Sequence, residues 1–239
     1  MPRTLLVVQE KGGVGKSVCA RALAEAVPDA PLIEIDASQR LLELKDRVRF
    51  FAMRADRAAI ERTGGRAARA EFDPVIDAMT SAALPTIVDV GANTSGSLLA
   101  LLADLAADLG EAGVELGVLV VVTAEPGALA EAPKLMTLAK PWAHARFLVE
   151  NRLHGTIESK TLTRIADGAI VTHLAEQVME EKAVELLQAG GLASIPKLDA
   201  GKLSARHGLA LAARMRRDLT RFRLEAMQAV EPAATWLVG

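Results

Sequence analysis

Two lysines bracket a glycine-rich turn in Glu10-Lys11-Gly12-Gly13-Val14-Gly15-Lys16-Ser17. Residues of these types at this spacing can capture an anion, and a polyphosphate in particular. Glycines let backbone N–H groups converge on phosphate oxygens with no Cβ in the way. A helix starting near Lys16 would aim the positive end of its dipole at the same point. Lys16 would set an ammonium against β- and γ-phosphates, and the Ser17 hydroxyl would reach Mg²⁺. Gly12, Gly13, Val14, Gly15, Lys16, Ser17 and Val18 are therefore candidate binding residues for ATP with Mg²⁺. One position breaks the common spacing G-x-x-x-x-G-K-[ST]: Glu10 stands where the first glycine is expected.

Such a turn needs a strand before it and a helix after it, and the chain supplies both. Thr4–Gln9, Pro31–Asp36, Pro85–Val90, Leu116–Thr123 and Arg146–Glu150 read as short buried strands, with a further candidate at Leu192–Pro196. Helical patterns fill Lys16–Val27, Ser97–Leu109, Gly127–Ala139, His173–Ala189 and Ala205–Ala229. This alternation predicts an α/β fold: a doubly wound, mostly parallel sheet with helices on both faces. One domain over 1–239 is expected. It would carry a helical insertion at about 41–83, broken at Thr63-Gly64-Gly65 and near Pro74, and a helical region at about 200–239.

Composition narrows the chemistry. The 239 residues are 51% hydrophobic and 24% charged, enough for a sizeable core and too apolar for global disorder. The single cysteine, Cys19, excludes an internal disulfide and a Cys-rich metal site, and the four histidines show no ligand spacing. Thr4–Val8 is too short for a leader, and Val114–Ala124 falls far short of the ~20 apolar residues that span a bilayer. A cytoplasmic protein is expected. The formal charge of −2 is unevenly spread. Residues 40–70 hold nine basic against four acidic side chains, and residues 201–239 hold seven against three. Both blocks suit an anionic partner. With 3% aromatic residues and no tyrosine, base-stacking platforms are not expected.

The loop Lys11-Gly12-Gly13-Val14-Gly15-Lys16-Ser17 resembles the deviant Walker A motif of the ParA/MinD family of ATPases. The resemblance implies that Lys16 serves its own nucleotide, whereas Lys11 reaches across a nucleotide-sandwich homodimer to the partner's phosphates. Further stretches match at corresponding places. Glu34-Ile35-Asp36-Ala37-Ser38-Gln39 resembles the family's D-x-D-P-Q, which implies that Asp36 orients the attacking water and stands beside the metal. Glu34 replaces the first Asp of that pattern. "IVDVGANTSG" places Asp89 as the acid that holds Mg²⁺ together with Ser17, and Gly91 as a sensor of the γ-phosphate. "FLVENR" makes Asn151 the reader of adenine's edge, with Arg152 beside it. "ASIPKLD" makes Pro196 and Leu198 candidates to pack near the base. No N-K-x-D guanine reader is present, which favours ATP.

By this resemblance the chain is a slow ATPase with Lys11, Lys16 and Asp36 at its catalytic centre. It would switch between monomer and ATP-bound dimer to position DNA, in plasmid or chromosome partition or in conjugative mobilisation of the TraL, MobD or StbB kind. Non-specific DNA and a protein activator are the expected partners. Arg206, Arg214, Arg216, Arg217, Arg221 and Arg223 are candidate phosphate contacts. Two readings stay open beside it. One is MinD-like membrane positioning through an amphipathic tail at Leu219–Met227, which the following Gln228 and Pro232 argue against. The other is an ATP-dependent synthase of the same fold.

Overall fold

The computed structural model describes residues 2–53 and 66–239. In chain order the elements are β1 (Arg3–Val8), α1 (Lys16–Ala26), β2 (Leu32–Asp36), a 3₁₀ turn (Leu42–Leu44), β3 (Val48–Ala52), α2 (Arg66–Thr80), β4 (Thr86–Val90), α3 (Ser95–Asp104), α4 (Ala106–Glu111) and β5 (Glu115–Val122). There follow α5 (Pro126–Ala139), β6 (Ala145–Asn151), α6 (Ser159–Ala166), β7 (Ile170–Leu174), α7 (Glu181–Gly190), a second 3₁₀ turn (Leu192–Lys197), α8 (Ala200–His207) and α9 (Leu209–Val238).

All seven strands run parallel in one sheet, ordered β3-β2-β4-β1-β5-β6-β7. Successive residues of β1, β4 and β5 are buried, so both faces of the sheet centre are covered, as the apolar runs of a doubly wound fold require. The helices fall into two groups: α1 packs with α9 and the second 3₁₀ turn, and α9 with α7 and α8, while α3 packs with α2 and α5, and α5 with α6. The chain leaves β1 for β2 and returns to place β4 between them. That reversal opens a crevice beyond the strand ends, where ligands bind in such sheets.

The local differences from the sequence reading have physical causes. The stretch expected to be helical from 41 to 83 contains strand β3, which adds to the edge of β2. Arg49 lies over the Phe51 ring at 4.9 Å, two residues apart on one face of that strand. Pro74 does not break α2, because Phe72, Val75, Ile76 and Met79 form a buried stripe at helical spacing while Pro74 faces solvent. The expected break at Thr63-Gly64-Gly65 lies outside the described residues. His173 belongs to edge strand β7 rather than to a helix, and Leu192–Pro196 forms a 3₁₀ turn rather than a strand.

The last helix closes the fold on its first strand. Arg3 donates from Nε to Glu115 at 2.7 Å and from Nη1 to the Trp236 carbonyl at 2.5 Å, and its guanidinium stacks on the Trp236 ring at 5.3 Å. The ring in turn fills the space over Gly117, where a Cβ would stand 2.5 Å from a ring carbon. Met215, Leu219, Val230 and Leu237 are fully or almost fully buried. Of the apolar residues in the stretch read as a membrane tail, Leu219 is buried and Phe222 packs against the core, whereas Leu224 is exposed; no helix among the described residues is long and apolar enough to cross a membrane. Gly117→Ala should drive the Trp236 ring off β5 and destabilise the protein by about 1–3 kcal/mol, the range for overpacking a core. Urea unfolding checks this; a variant as stable as the parent would mean that the ring moves freely.

Candidate functional site

The glycine turn sits at the C-terminal end of β1 and opens α1. Gly13 and Gly15 have φ of 80° and 98°, in the left-handed region that side chains resist. Gly15 is doubly required, because a Cβ there would lie 2.6 Å from the Asn151 amide nitrogen. No side chain caps α1, which leaves its first N–H groups directed at the crevice.

Below the turn a row of acids crosses the sheet. Asp89 on β4 pairs in register with Val7 on one side and with Glu34 on the other. Lys16 is 8% exposed, Asp89 4% and Glu34 1%. Ser17 Oγ donates to Asp89 Oδ2 at 2.9 Å, and Lys16 Nζ donates to the Lys11 carbonyl at 3.3 Å. Burial lowers the Lys16 ammonium from its ordinary value, and Asp89, Asp36 and Glu10 pull it back up. Burial also raises Asp89, against the Ser17 hydrogen bond and the Lys16 charge. Asp89 Oδ1 and Glu34 Oε2 are buried with no hydrogen-bond partner.

These groups line a cavity of about 300 Å³ with Gly12, Gly13, Gly15, Asp36, Arg40 and Gly91. The donor set fits a magnesium–nucleotide: a hydroxyl, two to three carboxylates, a buried ammonium and an uncapped helix start. Among the buried carboxylate oxygens without a donor, Asp89 Oδ1 is the one whose carboxylate also takes the Ser17 hydroxyl and stands beside the Lys16 ammonium.

Asp36 stands at the cavity's edge. Its Oδ1 accepts from the Ala37 N–H at 2.6 Å and its Oδ2 lies 3.7 Å from Arg40 Nε. Gly91 donates to the Ile35 carbonyl at 2.6 Å, and a Cβ on it would stand 2.9 Å from Asp36 Cγ. The segment after β4 thus packs directly on the carboxylate, an approach only glycine permits. Arg40 had counted only as part of a basic block, and the fold of 37–41 brings it to the cavity.

Glu10, the departure from the common loop pattern, has a structural task. Its carboxylate accepts from the Gly96 N–H in the first turn of α3, and its carbonyl accepts from Asn93 N at 3.1 Å. Asn93 holds φ at 63°, a conformation that asparagine tolerates better than most residues. Glu10 therefore ties the glycine turn to the segment after β4. Nothing in the residue pattern announced this, because the tether spans 86 positions.

The expected base site divides. Asn151 is buried, and its Nδ2 donates to the Val14 carbonyl at 2.9 Å, so it supports the turn from beneath. Its second N–H and its Oδ1 take no part in that bond. Arg152 turns to Glu150 at 2.9 Å; this buried carboxylate also accepts from the Ile157 N–H and lies 2.7 Å from His173 Nδ1. Pro196 and Leu198 line a different depression with Ile195, Arg216, Thr220 and Arg223. The segment after β7 is nearer in register: Leu174 pairs with Asn151 and accepts from Arg152 N at 2.9 Å. Lys11 is exposed and pairs with Glu125 at 2.9 Å.

The C-terminal arginines also separate. Arg214 pairs with Glu180, Arg221 with Glu225 and Arg223 with Glu25. Among the described residues Arg206, Arg216 and Arg217 are exposed and make no ion pair.

The fold has likenesses among solved structures. Apo McdA from Cyanothece shares 13% identity over 92% of this chain and 98% of that one, with a TM-score of 0.44. The MinC:MinD cell division protein complex of Aquifex aeolicus shares 15% over 92% and 96%, at 0.43. A plasmid partition protein from Borrelia burgdorferi shares 14% over 82% and 99%, at 0.46. No family model and no curated protein matches the sequence. Likenesses this distant carry no argument about chemistry, which rests on the cavity itself.

Glu34 provides a test of the acid row. Burial raises it above the ordinary carboxylate range, the Arg40 N–H opposes the rise, and Asp89 and Asp36 add to it. A carboxyl raised on folding keeps its proton where the unfolded chain has lost it. It therefore costs nothing below the unfolded value and penalises the fold as pH rises through the folded one. Glu34→Gln should raise the melting temperature at about pH 8, with the gain shrinking as the pH falls toward about 4. A variant less stable at every pH would contradict the assigned strain.

Proposed function

We propose that this chain is a magnesium-dependent ATPase that dimerises around ATP and uses the dimer to hold and release DNA. The observation that carries the reading is the cluster of buried Lys16 and Asp89 with half-buried Ser17 beneath an uncapped helix, with one Asp89 oxygen left unpaired. The glycine turn's N–H groups would cradle the phosphates, Lys16 would face the β- and γ-oxygens, and Val18 would follow in the first turn of α1. Ser17, Asp89 and Asp36 would hold Mg²⁺, directly or through water. When bound, the ion neutralises charge on the phosphates.

Asp36 would orient the attacking water, since its carboxylate is the acid least buried at the cavity. A single carboxylate activates water weakly, so turnover should be slow until a protein activator adjusts the site. Gly91 and the Glu10 tether would let loss of the γ-phosphate move the segment after β4. Lys11 would serve the partner's nucleotide, in keeping with the loop's resemblance to the deviant Walker A motif. Asn151 would meet adenine with the half of its amide that Val14 does not use, flanked by Arg152 and by the segment after β7 rather than by Pro196 and Leu198.

The exposed, unpaired Arg206, Arg216 and Arg217 supply the DNA contacts in this reading. Partition and conjugative mobilisation both fit such a switch. Asp36→Ala should form ATP-dependent dimers that do not turn over, read by sedimentation with phosphate release; ATP-loaded monomers would overturn the dimer model. DNA retention should require ATP and fall steeply with salt, and reversing Arg216 and Arg217 to Glu should abolish it. Retention unchanged by that reversal would move the DNA surface elsewhere, and no retention at low salt would remove DNA as the partner.

A further inference from the structure

Lys11, the lysine that the proposed dimer needs in trans, is held in cis. Its Nζ lies 2.9 Å from Glu125 Oε1, and its stem runs across Gly127, where a Cβ would stand 3.6 Å from Lys11 Cδ. Glu125 is the N-cap residue of α5, yet its side chain makes no capping hydrogen bond to that helix. The carboxylate faces the lysine instead.

We propose that Glu125 and Gly127 form a seat that stores Lys11 on its own subunit, and that must open before the lysine can reach a partner's nucleotide. The inference rests on the dimer reading given above. Three features suit a seat that opens. Both side chains are partly exposed, at 44% and 35%, so water competes for the pair. The ammonium lies at the positive end of the α5 dipole, which disfavours it there once Glu125 is neutralised. The same dipole favours the Glu125 carboxylate after the lysine has left, so opening strands no buried charge. Gly127 matters because a side chain there would crowd the lysine stem.

An exposed pair of this kind shifts an equilibrium by about two- to five-fold. Two seats open per dimer, so removing both should tighten ATP-dependent dimerisation by about four- to twenty-five-fold.

The test uses the full chain with Asp36→Ala, so that ATP is not consumed, and measures the dimer dissociation constant by sedimentation. Adding Glu125→Gln should tighten the dimer by the factor above at low salt, and less at high salt. Glu131→Gln is the control: it removes the same charge from the same helix, where Glu131 pairs with Lys134 rather than Lys11. An unchanged or weaker dimer in Glu125→Gln, or equal tightening in Glu131→Gln, overturns the seat. A second readout separates this from failure of the dimer reading. In the nucleotide-free monomer, Glu125→Gln should raise the acylation rate of Lys11 relative to Lys134 and Lys197, read by mass spectrometry. An unchanged Lys11 rate overturns the seat whether or not dimers form.

Discussion

Burying Lys16 beside Asp89 is the constraint from which the rest of the molecule follows. Each charge alone would cost the fold several kcal/mol of lost hydration. Together, with the Ser17 hydroxyl on one Asp89 oxygen, they offset one another and leave the second oxygen unsatisfied. That incomplete solution is available only where a strand ends in a side-chain-free turn. It also needs a neighbouring strand to deliver an acid at the same height. The crossover from β1 to β2, with β4 returning between them, provides it by pairing Val7 with Asp89 and Asp89 with Glu34. The cavity thus presents buried polar groups without protein partners, which a magnesium–triphosphate would supply.

Three loops are tied to this cluster by contacts that admit little substitution. Asn151 holds the turn from beneath through Val14, at a distance that leaves no room for a Cβ on Gly15. Gly91 presses the segment after β4 onto Asp36. Glu10 fastens the same segment to the turn through Gly96 and Asn93. A displacement at any one of them reaches the others through hydrogen bonds made directly to backbone and through close backbone packing. This is the mechanical property that a nucleotide-driven switch needs.

Much of this was legible in the residues, because the relevant signals are local. Buried parallel strands read as continuous apolar runs, and the glycine turn with Lys16 and Ser17 is contiguous. Asp89 stands one residue from the end of a strand whose apolar character is plain. What escaped was either weakly patterned or long-range. Strands β3 and β7 lie at sheet edges and are half exposed, so Val48–Ala52 and Ile170–Leu174 carry no strong period. Because β7 carries little pattern, the sequence does not show that the segment after Leu174 runs beside Asn151. The task of Glu10 depends on a contact with Gly96, and the seat of Lys11 on one with Glu125, both invisible without the fold. Of the six C-terminal arginines, Arg214 and Arg223 are engaged by acids far away in the chain, Glu180 and Glu25, which charge counting along a sequence does not reveal.

Binding of MgATP to wild type and to Lys16→Ala, followed by isothermal titration with folding of both checked by circular dichroism, tests the centre of this account most directly. The wild type should bind one nucleotide per chain and the folded variant none, because Lys16 is the buried cation beneath the turn, whereas Arg40 stands exposed at the cavity's edge. Equal affinity in the two proteins would mean that the glycine turn is not a phosphate site.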